Sequence, residues 1–253
     1  MPVQVPGFAG GDRTDISLPA PQQALLSALE ATGKPVIILL QSGSAVPLGA
    51  EGQKAAAILE SWYGGERGGE AIADVLRGIY NPAGRLPITV YRSLGQLRPF
   101  NDYSMHGRTY RYFDGSPEYP FGYGLSYTRF RYSGLSIPDA QPVGSDTRVS
   151  VRVRNDGPIA GDEVVQLYVT PRGRADAPSR SLKGFERIHL AAGEERTMTF
   201  ALDARDLAFA DAAGVMRITP GDYGIWVGGG QPGTGAPGEA ATLRVTRAAT
   251  LQP

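Results

Sequence analysis

The side chains of this chain that could do chemistry are a few carboxylates in its glycine-rich turns. Asp12 lies beside Arg13, while Glu66 and Glu70 flank the start of a patterned segment. Carboxylates of this kind can serve as general acids, general bases or nucleophiles. The structural alternatives are a local ion pair for Asp12 and a favourable charge at a helix N-terminus for Glu66 and Glu70. These carboxylates alone therefore identify no catalytic pair.

The serines and histidines indicate no nucleophilic or metal site. Ser42 and Ser44 lack the flanking glycines of the Gly-x-Ser-x-Gly nucleophile elbow. His106 and His189 are far apart in the sequence and lack the partners of a metal centre or a Ser-His-Asp arrangement. The chain has no cysteine, phosphate-binding loop or dinucleotide fingerprint. We predict no metal and no cofactor.

Composition excludes several classes of partner. Lys plus Arg equals Asp plus Glu at 25 each, so no net charge attracts nucleic acid or an anionic membrane surface. The longest apolar run, Val36–Leu40, is far too short to cross a bilayer, and the first seven residues lack a signal-peptide pattern. We predict no nucleic-acid and no membrane partner, while localisation stays unknown.

The pattern of the first 92 residues predicts an α/β layer. An apolar stripe predicts a helix over Leu18–Thr32, and a second helix is predicted over Glu70–Gly78. The continuous apolar run Pro35–Leu40 is typical of a strand covered on both faces in a parallel sheet. Residues 55–63 fit either a continued helix or a short buried strand, and we favour a strand that ends near Trp62. Another strand is predicted over Arg85–Val90, where the internal proline favours an edge or entry position.

A polar loop, Gln41–Ser44, follows the first predicted strand. Open α/β sheets place ligand-contacting loops at the carboxyl ends of their strands, although a simple turn is the alternative.

Aromatic residues crowd into residues 93–128, where periodicity disappears. Because each packed ring buries about 150–250 Å², such a segment is expected to lie as an ordered connector across another surface. Packing between domains is one interpretation, and a carbohydrate contact is the other.

After Phe130 the apolar residues alternate with period two. Val149, Val151 and Val153 precede a turn at 155–158, which predicts a hairpin with the strand around Val165–Val169. With three or more further short strands, this predicts an immunoglobulin-like or fibronectin III-like β-sandwich. The fold class is thus α/β plus all-β: a partial α/β sandwich with a mostly parallel sheet over 1–92, a connector over 93–128 and a β-sandwich over 129–253.

Several short motifs follow one another along the chain: GGDR at 10–13, GKPV at 33–36, WYGGERGGEAIADVL at 62–76, NPAGRLP at 81–87, YPFGYGLSYT at 119–128, NDG at 155–157, GDEVVQLYV at 161–169, LKGF at 182–185 and PGDY at 220–223. In this order they resemble the carboxy-terminal half of glycoside hydrolase family 3, the β-glucosidase and β-xylosidase type. Their order matches the α/β-sandwich domain of that family and the fibronectin type III-like domain that often follows it, over nearly the whole chain.

The resemblance implies retaining hydrolysis of β-glucosides or β-xylosides by two carboxyl groups. In the family the nucleophile belongs to an amino-terminal (β/α)8 barrel, and the acid/base glutamate lies just upstream of the GGDR segment. Neither position is present here, so we assign no catalytic residue and expect a C-terminal piece, without its barrel, that is inactive alone. Asp12, Arg13 and Trp62 are the substrate-binding candidates.

The partners implied for the intact enzyme are the missing barrel and a β-linked oligosaccharide or aryl glycoside. A strand edge left bare by a missing barrel predicts self-association. A non-catalytic carbohydrate-binding or assembly module is the alternative function, and a structural β-sandwich spacer is a third.

Overall fold

A computed structural model of the protein describes residues 15–138, 140–141, 146–211 and 213–251. The described residues form two compact units. Unit 1 comprises residues 15–77, 89–104 and 115–119, and unit 2 comprises 78–88, 105–114 and the described residues from 120 onward. The three-part division at residues 92 and 128 stays a prediction.

Unit 1 is a small α/β layer in which Leu26, Ile38 and Leu48 form the buried core. Its two strands pair in parallel, with Ile38 opposite Ile58. Its elements are α1 Ala20–Glu30, β1 Ile37–Leu40, α2 Gly49–Lys54, β2 Ala57–Glu60, α3 Gly68–Leu76 and a 3₁₀ turn at Leu94–Gln96.

The two predicted helices of unit 1 are confirmed with slightly different ends. A proline at the first turn of α1 is tolerated because its missing N–H has no intrahelical partner there. Gly33 and Gly78 follow α1 and α3 with φ of 71° and 73°, a conformation that ends a helix at little cost for glycine.

The parallel pairing predicted for β1 is confirmed, but the prediction that both its faces are covered is wrong for the described residues. Ile38 is buried against α1, whereas Ile37 on the opposite face is 53% exposed. Among the described residues, the core cluster of unit 1 packs on the Ile38 face of β1, so the opposite face stays exposed.

The strand predicted at Arg85–Val90 is also wrong. Val90 forms only an isolated bridge to Tyr119, and Leu86 makes single hydrogen bonds to Tyr123 and Gly122. Pro87 lacks the N–H that a continuous ladder would need at this point.

Unit 2 is dominated by a β-sandwich, as predicted. Its elements are α4 Thr109–Tyr112, β3 Phe130–Ser136, β4 Ala140–Gln141, β5 Thr147–Asn155, β6 Gly161–Pro171, β7 Ser181–Leu190, β8 Glu195–Leu202, α5 Ala204–Leu207, β9 Phe209–Ala210, β10 Met216–Ile218, β11 Gly221–Gly228, β12 Gly238–Val245 and β13 Ala249–Thr250. One sheet has the order β4-β12-β11-β6-β7, the other has the order β3-β5-β8, and a third small sheet joins β13, β10 and β9.

The predicted hairpin between β5 and β6 does not form. β5 pairs with β3 and β8, whereas β6 pairs with β7 and β11 in the other sheet. The alternating valines of β5 and β6 therefore pack together in one core from opposite sheets. Period-two alternation records which face of a strand is buried, and it is the same for paired strands and for strands that face each other.

β6 is buried on both faces between Val165 and Val169. Val165, Leu167 and Val169 point into the sandwich core, while Gln166 and Tyr168 are buried on the opposite side. Residues of the aromatic segment cover that side, where the Tyr110 ring meets the Tyr168 ring edge-on, while a connector over 93–128 stays a prediction. Among the described residues, no helix combines the length and apolarity needed to span a membrane.

Candidate functional site

The carboxyl ends of β1 and β2 meet at one edge of the unit 1 sheet, where polar side chains collect. Ser42 follows β1, and Glu60 ends β2. Ser61 ties the two strand ends together, because its N–H and its hydroxyl both donate to the Leu40 carbonyl, at 2.9 and 3.0 Å. The Ser42 hydroxyl donates to the Ser44 carbonyl at 2.7 Å and closes the loop after β1.

Trp62, the predicted substrate-binding candidate, leaves this edge in an unusual backbone conformation. Its φ is 51°, in the left-handed region that bulky residues rarely adopt. Its N–H donates to Glu60 Oε1 at 3.1 Å, which holds the turn in place. Such strained residues persist where the surroundings determine them, often at binding sites.

Glu60 is a residue of this edge that the sequence motifs did not single out. Burial raises the pKa of its carboxyl, while hydrogen bonds from Trp62 and Ser42 act in the opposite direction. The available signal was its place at the end of a short apolar strand, at the same edge as Ser42. Carboxyl groups with a raised pKa cluster at functional sites, although structural contacts shift the pKa in the same way.

Tyr63 adds an aromatic surface next to the edge. Its side chain is 77% exposed, and its ring lies beside Gly43, where a Cβ atom would come within 2.9 Å of Tyr63 Cε2. The edge therefore presents an aromatic ring, a half-buried indole and a carboxyl group, a set that can stack on a sugar ring and bind its hydroxyl groups.

Other carboxylates of unit 1 stabilise local structure. Glu118 accepts hydrogen bonds from the N–H groups of Leu48 and Gly49, at 2.7 and 3.1 Å, at the start of α2. Glu70 lies in the first turn of α3, as predicted, and it also pairs with Arg67 at 2.8 Å. Glu30 pairs with Lys54 at 3.3 Å.

The remaining predicted residues do not add to this site. Asp12 and Arg13 lie outside the described residues. His189 of unit 2 pairs with Asp162, with Nδ1 at 2.6 Å from Oδ1. Within the described ranges, no group of three or more His, Asp or Glu side chains is arranged to hold a metal ion.

A shallow cavity in unit 1 is too small to be a strong alternative site. Its volume is about 170 Å³, and Leu18, Leu26, Leu48 and Arg92 contribute to its lining. Typical ligand pockets measure about 300–1,000 Å³.

Comparison with known protein families agrees with the motifs. Residues 6–127 match the glycosyl hydrolase family 3 C-terminal domain, and residues 163–231 match the fibronectin type III-like domain.

Curated relatives extend this agreement over most of the chain. The chain is 46% identical to a xylan 1,4-beta-xylosidase of Xylanibacter ruminicola over 90% of its own length and 26% of the relative's. It is 43% identical to a periplasmic beta-glucosidase of Salmonella typhimurium over 85% of its length and 30% of the relative's. The chain thus spans less than a third of each of these proteins.

Solved structures match the fold over a similar share of the chain. The beta-glucosidase of Listeria innocua superimposes with a TM-score of 0.79 at 31% identity, covering 94% of this chain and 34% of that one. The beta-glucosidase of Kluyveromyces marxianus gives a TM-score of 0.82 at 30% identity, covering 95% of this chain and 30% of that one. The predicted fold class is confirmed, and the chain belongs to glycosyl hydrolase family 3, of which it carries the C-terminal domain followed by a fibronectin type III-like domain.

Proposed function

We propose that this chain is the C-terminal part of a retaining β-glycosidase that acts on β-glucosides or β-xylosides. The observation that carries the proposal is the similarity to a xylosidase and to glucosidases over at least 85% of the chain, with 43–46% identity in the two curated relatives described above. The crystallised Listeria innocua relative was also obtained in complex with laminaribiose and with glucose. In this proposal the chain supplies part of the substrate site, the nucleophile comes from the barrel, and the acid/base glutamate comes from the segment just upstream of GGDR.

Local contacts of the carboxylates support the idea that this chain is inactive alone. Retaining hydrolysis needs two carboxyl groups about 5–5.5 Å apart on either side of the scissile bond. Glu118 caps a helix and Glu70 pairs with an arginine. Glu60 binds the Trp62 amide. Each of these three carboxyl groups thus has a local structural contact, and none of these contacts joins it to a second carboxyl group.

A hydrolysis assay with the purified chain tests this proposal. We expect no release of nitrophenol from aryl β-glucosides or aryl β-xylosides above the uncatalysed rate. We also expect turnover of aryl β-xyloside when the chain replaces the corresponding C-terminal region of the Xylanibacter ruminicola relative. The Glu60→Gln variant is the matched control, because it keeps the shape of the side chain and removes its acid chemistry. Turnover by the isolated chain that disappears in Glu60→Gln would refute its inactivity, and a folded chimera without turnover would contradict the proposed family function.

A carbohydrate-binding or assembly module is the second candidate, favoured by the exposed ring of Tyr63 and the backbone of Trp62 at the carboxyl edge of the sheet. We propose Trp62 as a sugar contact in either case. Calorimetry with cello- and xylo-oligosaccharides separates the two functions. Heat of binding that the isolated chain shows and the Trp62→Ala variant lacks would favour the module, and no heat would favour the C-terminal part of an enzyme.

We further propose that the apolar surface of unit 1 is where the barrel-bearing region docks. Ile37 and Leu39, on the face of β1 that points away from α1, are 53% and 41% exposed. Parallel sheets are normally covered on both faces, and exposed apolar patches of this kind mark interaction surfaces.

Without that partner we expect concentration-dependent self-association in sedimentation velocity experiments. Ile37→Thr with Leu39→Thr should weaken the association, because these side chains supply apolar area to the contact. Phe185→Thr is the matched control, since Phe185 is 69% exposed on β7 of unit 2. A monodisperse monomer at high concentration would argue against the docking surface.

A further inference from the structure

We infer that residues 78–88, 105–114 and 120–128, here called the strap, are an integral part of the β-sandwich, held by a buried Arg85–Glu163 ion pair, so that strap and sandwich unfold together. The strap contains the turn-rich motif at 81–87 and all but the first residue of the motif at 119–128. The inference concerns unit 2 alone and does not depend on the proposed function.

Arg85 is the centre of the attachment. Its Nη2 lies 2.9 Å from Glu163 Oε2 on β6, and its Nε donates to the Gly229 carbonyl at 3.1 Å. Its Nη1 donates to the carbonyls of Ala83 and Gly84, at 3.3 and 3.2 Å, which folds the strap around its own side chain. All three guanidinium nitrogens are therefore engaged.

The ion pair is buried, and a further hydrogen bond connects it to the second sheet of the sandwich. The side chains of Arg85 and Glu163 are only 9% and 3% exposed. The second carboxylate oxygen of Glu163 accepts a hydrogen bond from the Tyr132 hydroxyl at 3.0 Å, and Tyr132 belongs to β3 of the opposite sheet. One carboxylate thus connects the strap to both sheets.

Burial raises the pKa of the Glu163 carboxyl, and the Arg85 guanidinium and the Tyr132 hydroxyl oppose this by favouring the charged form. Removing Arg85 would leave this carboxylate without its compensating charge. Truncating one partner of a buried pair is far more costly than losing a surface pair.

A second polar contact holds the strap farther along. Gln166 on β6 donates from Nε2 to the Gly122 carbonyl of the strap at 3.1 Å and to the Gly229 carbonyl at 3.2 Å. Its Oε1 accepts from the Tyr168 hydroxyl at 2.6 Å. Gln166 and Tyr168 are buried although they lie on the outer side of β6, because the strap covers them.

The first motif makes its own contacts. Asn81 Nδ2 donates to the Ala160 carbonyl at 3.2 Å, just before β6. Asn81 Oδ1 accepts from the Ser126 hydroxyl at 2.9 Å and from the Tyr127 N–H at 2.8 Å, joining the two parts of the strap.

Aromatic packing completes the cover. Tyr110 stacks on Phe121 with ring centroids 4.2 Å apart and meets Tyr168 edge-on at 6.2 Å. The Tyr110 hydroxyl accepts a hydrogen bond from the Leu182 N–H on β7 at 3.1 Å. The strap therefore gives β6 a second buried face, which an isolated fibronectin-type sheet would expose to water.

Native-state hydrogen exchange of the full chain tests the inference. The N–H groups of Leu86 and Gly122 form hydrogen bonds within the strap. Their hydrogen-exchange rates should lie within about tenfold of the rates of the β6 amides, because a cooperative unit opens as a whole. In Arg85→Met, which keeps most of the side-chain volume, exchange at both strap amides should accelerate at least about 100-fold. Glu163→Gln keeps the Tyr132 hydrogen bond but leaves the buried Arg85 guanidinium without its counter-charge, so we again expect an acceleration of at least about 100-fold.

Arg131→Met is the matched control. Arg131 pairs with Asp156 at 2.6 Å on the surface, where its side chain is 52% exposed, so exchange at the strap amides should stay as in the wild type. Glu163→Gln keeps the test decisive if Arg85→Met fails to fold. Strap amides that exchange at the rate of open loops in the wild type, or that keep wild-type rates in Glu163→Gln, would overturn the inference.

Discussion

Replacing Asn155 by aspartate is expected to lower the free energy of unfolding by about 3–5 kcal/mol at neutral pH, the range for an uncompensated buried charge. Asn155 is fully buried at the end of β5. Its Oδ1 accepts from Thr128 Oγ1 at 2.6 Å, and its Nδ2 donates to the carbonyls of Ile159 and Leu190, at 2.8 and 3.1 Å. In the Asn155→Asp variant, an oxygen would replace Nδ2 and face two carbonyl oxygens.

Chemical denaturation at several pH values measures this effect. Burial without a cation should raise the folded-state pKa of the new carboxyl above its unfolded value. The destabilisation should therefore shrink as the pH falls and a proton restores one donor, and it should grow as the pH rises.

Asn101→Asp is the control, because Asn101 is exposed in unit 1 and should change stability by no more than about 0.5 kcal/mol. Equal unfolding midpoints for Asn155→Asp and the wild type would show that the Asn155 contacts are not formed in solution.

The second large effect is expected for Gly124→Ala. A Cβ atom at Gly124 would overlap the carbonyl oxygen of Gly84 and lie 3.1 Å from Arg85 Cδ. Since the main obstacle is backbone, relief requires a shift of the strap, and we expect a loss of about 3 kcal/mol, at the upper end for overpacking. Thermal or chemical unfolding of the full chain measures it.

Gly84→Ala is a stringent control for this prediction, because it lies on the other side of the same contact. A Cβ atom at Gly84 meets nothing within 4 Å, and its backbone needs no left-handed conformation. Stability should stay within about 0.5 kcal/mol of the wild type. If Gly124→Ala were as stable as Gly84→Ala, the close approach between the two parts of the strap would be wrong.

Both predictions concern residues that belong to the family motifs or that directly contact residues of those motifs. Gly84 and Arg85 belong to NPAGRLP, Gly124 belongs to YPFGYGLSYT, and Asn155 opens NDG. In this chain the described contacts of these residues are structural: they close turns, bind carbonyl groups and form an ion pair. Their function is to build the sandwich and its cover, whereas the candidate sugar contact lies in unit 1 at Trp62.

Much of the fold could be predicted because its signals are local. The apolar stripe of α1 and the glycine after it depend on residues within one or two helical turns. The alternation in β5 and β6 likewise reports burial strand by strand. Motif order was enough for the family and the fold class, since the motifs cover nearly the whole chain.

Partners distant in the sequence could not be predicted this way. The alternation of β5 and β6 was interpreted as a hairpin, yet the strands belong to different sheets, because one face of each meets the shared core. Ile37 was predicted to lie in a strand covered on both faces, yet its exposure depends on whether another layer packs on its face of the sheet. Burial raises the pKa of the Glu60 carboxyl against the opposing hydrogen bonds from Trp62 and Ser42, and this burial arises only in the folded chain.

The sequence by itself determined the family and the types and approximate limits of most helices and strands, because these depend on nearby residues or on motif identity. Only the tertiary structure decided which strands pair, which apolar faces stay open, and that Arg85 meets Glu163 across 78 positions of the chain. A contact between such distant residues depends on the path of the whole backbone, and no local pattern of side chains encodes that path.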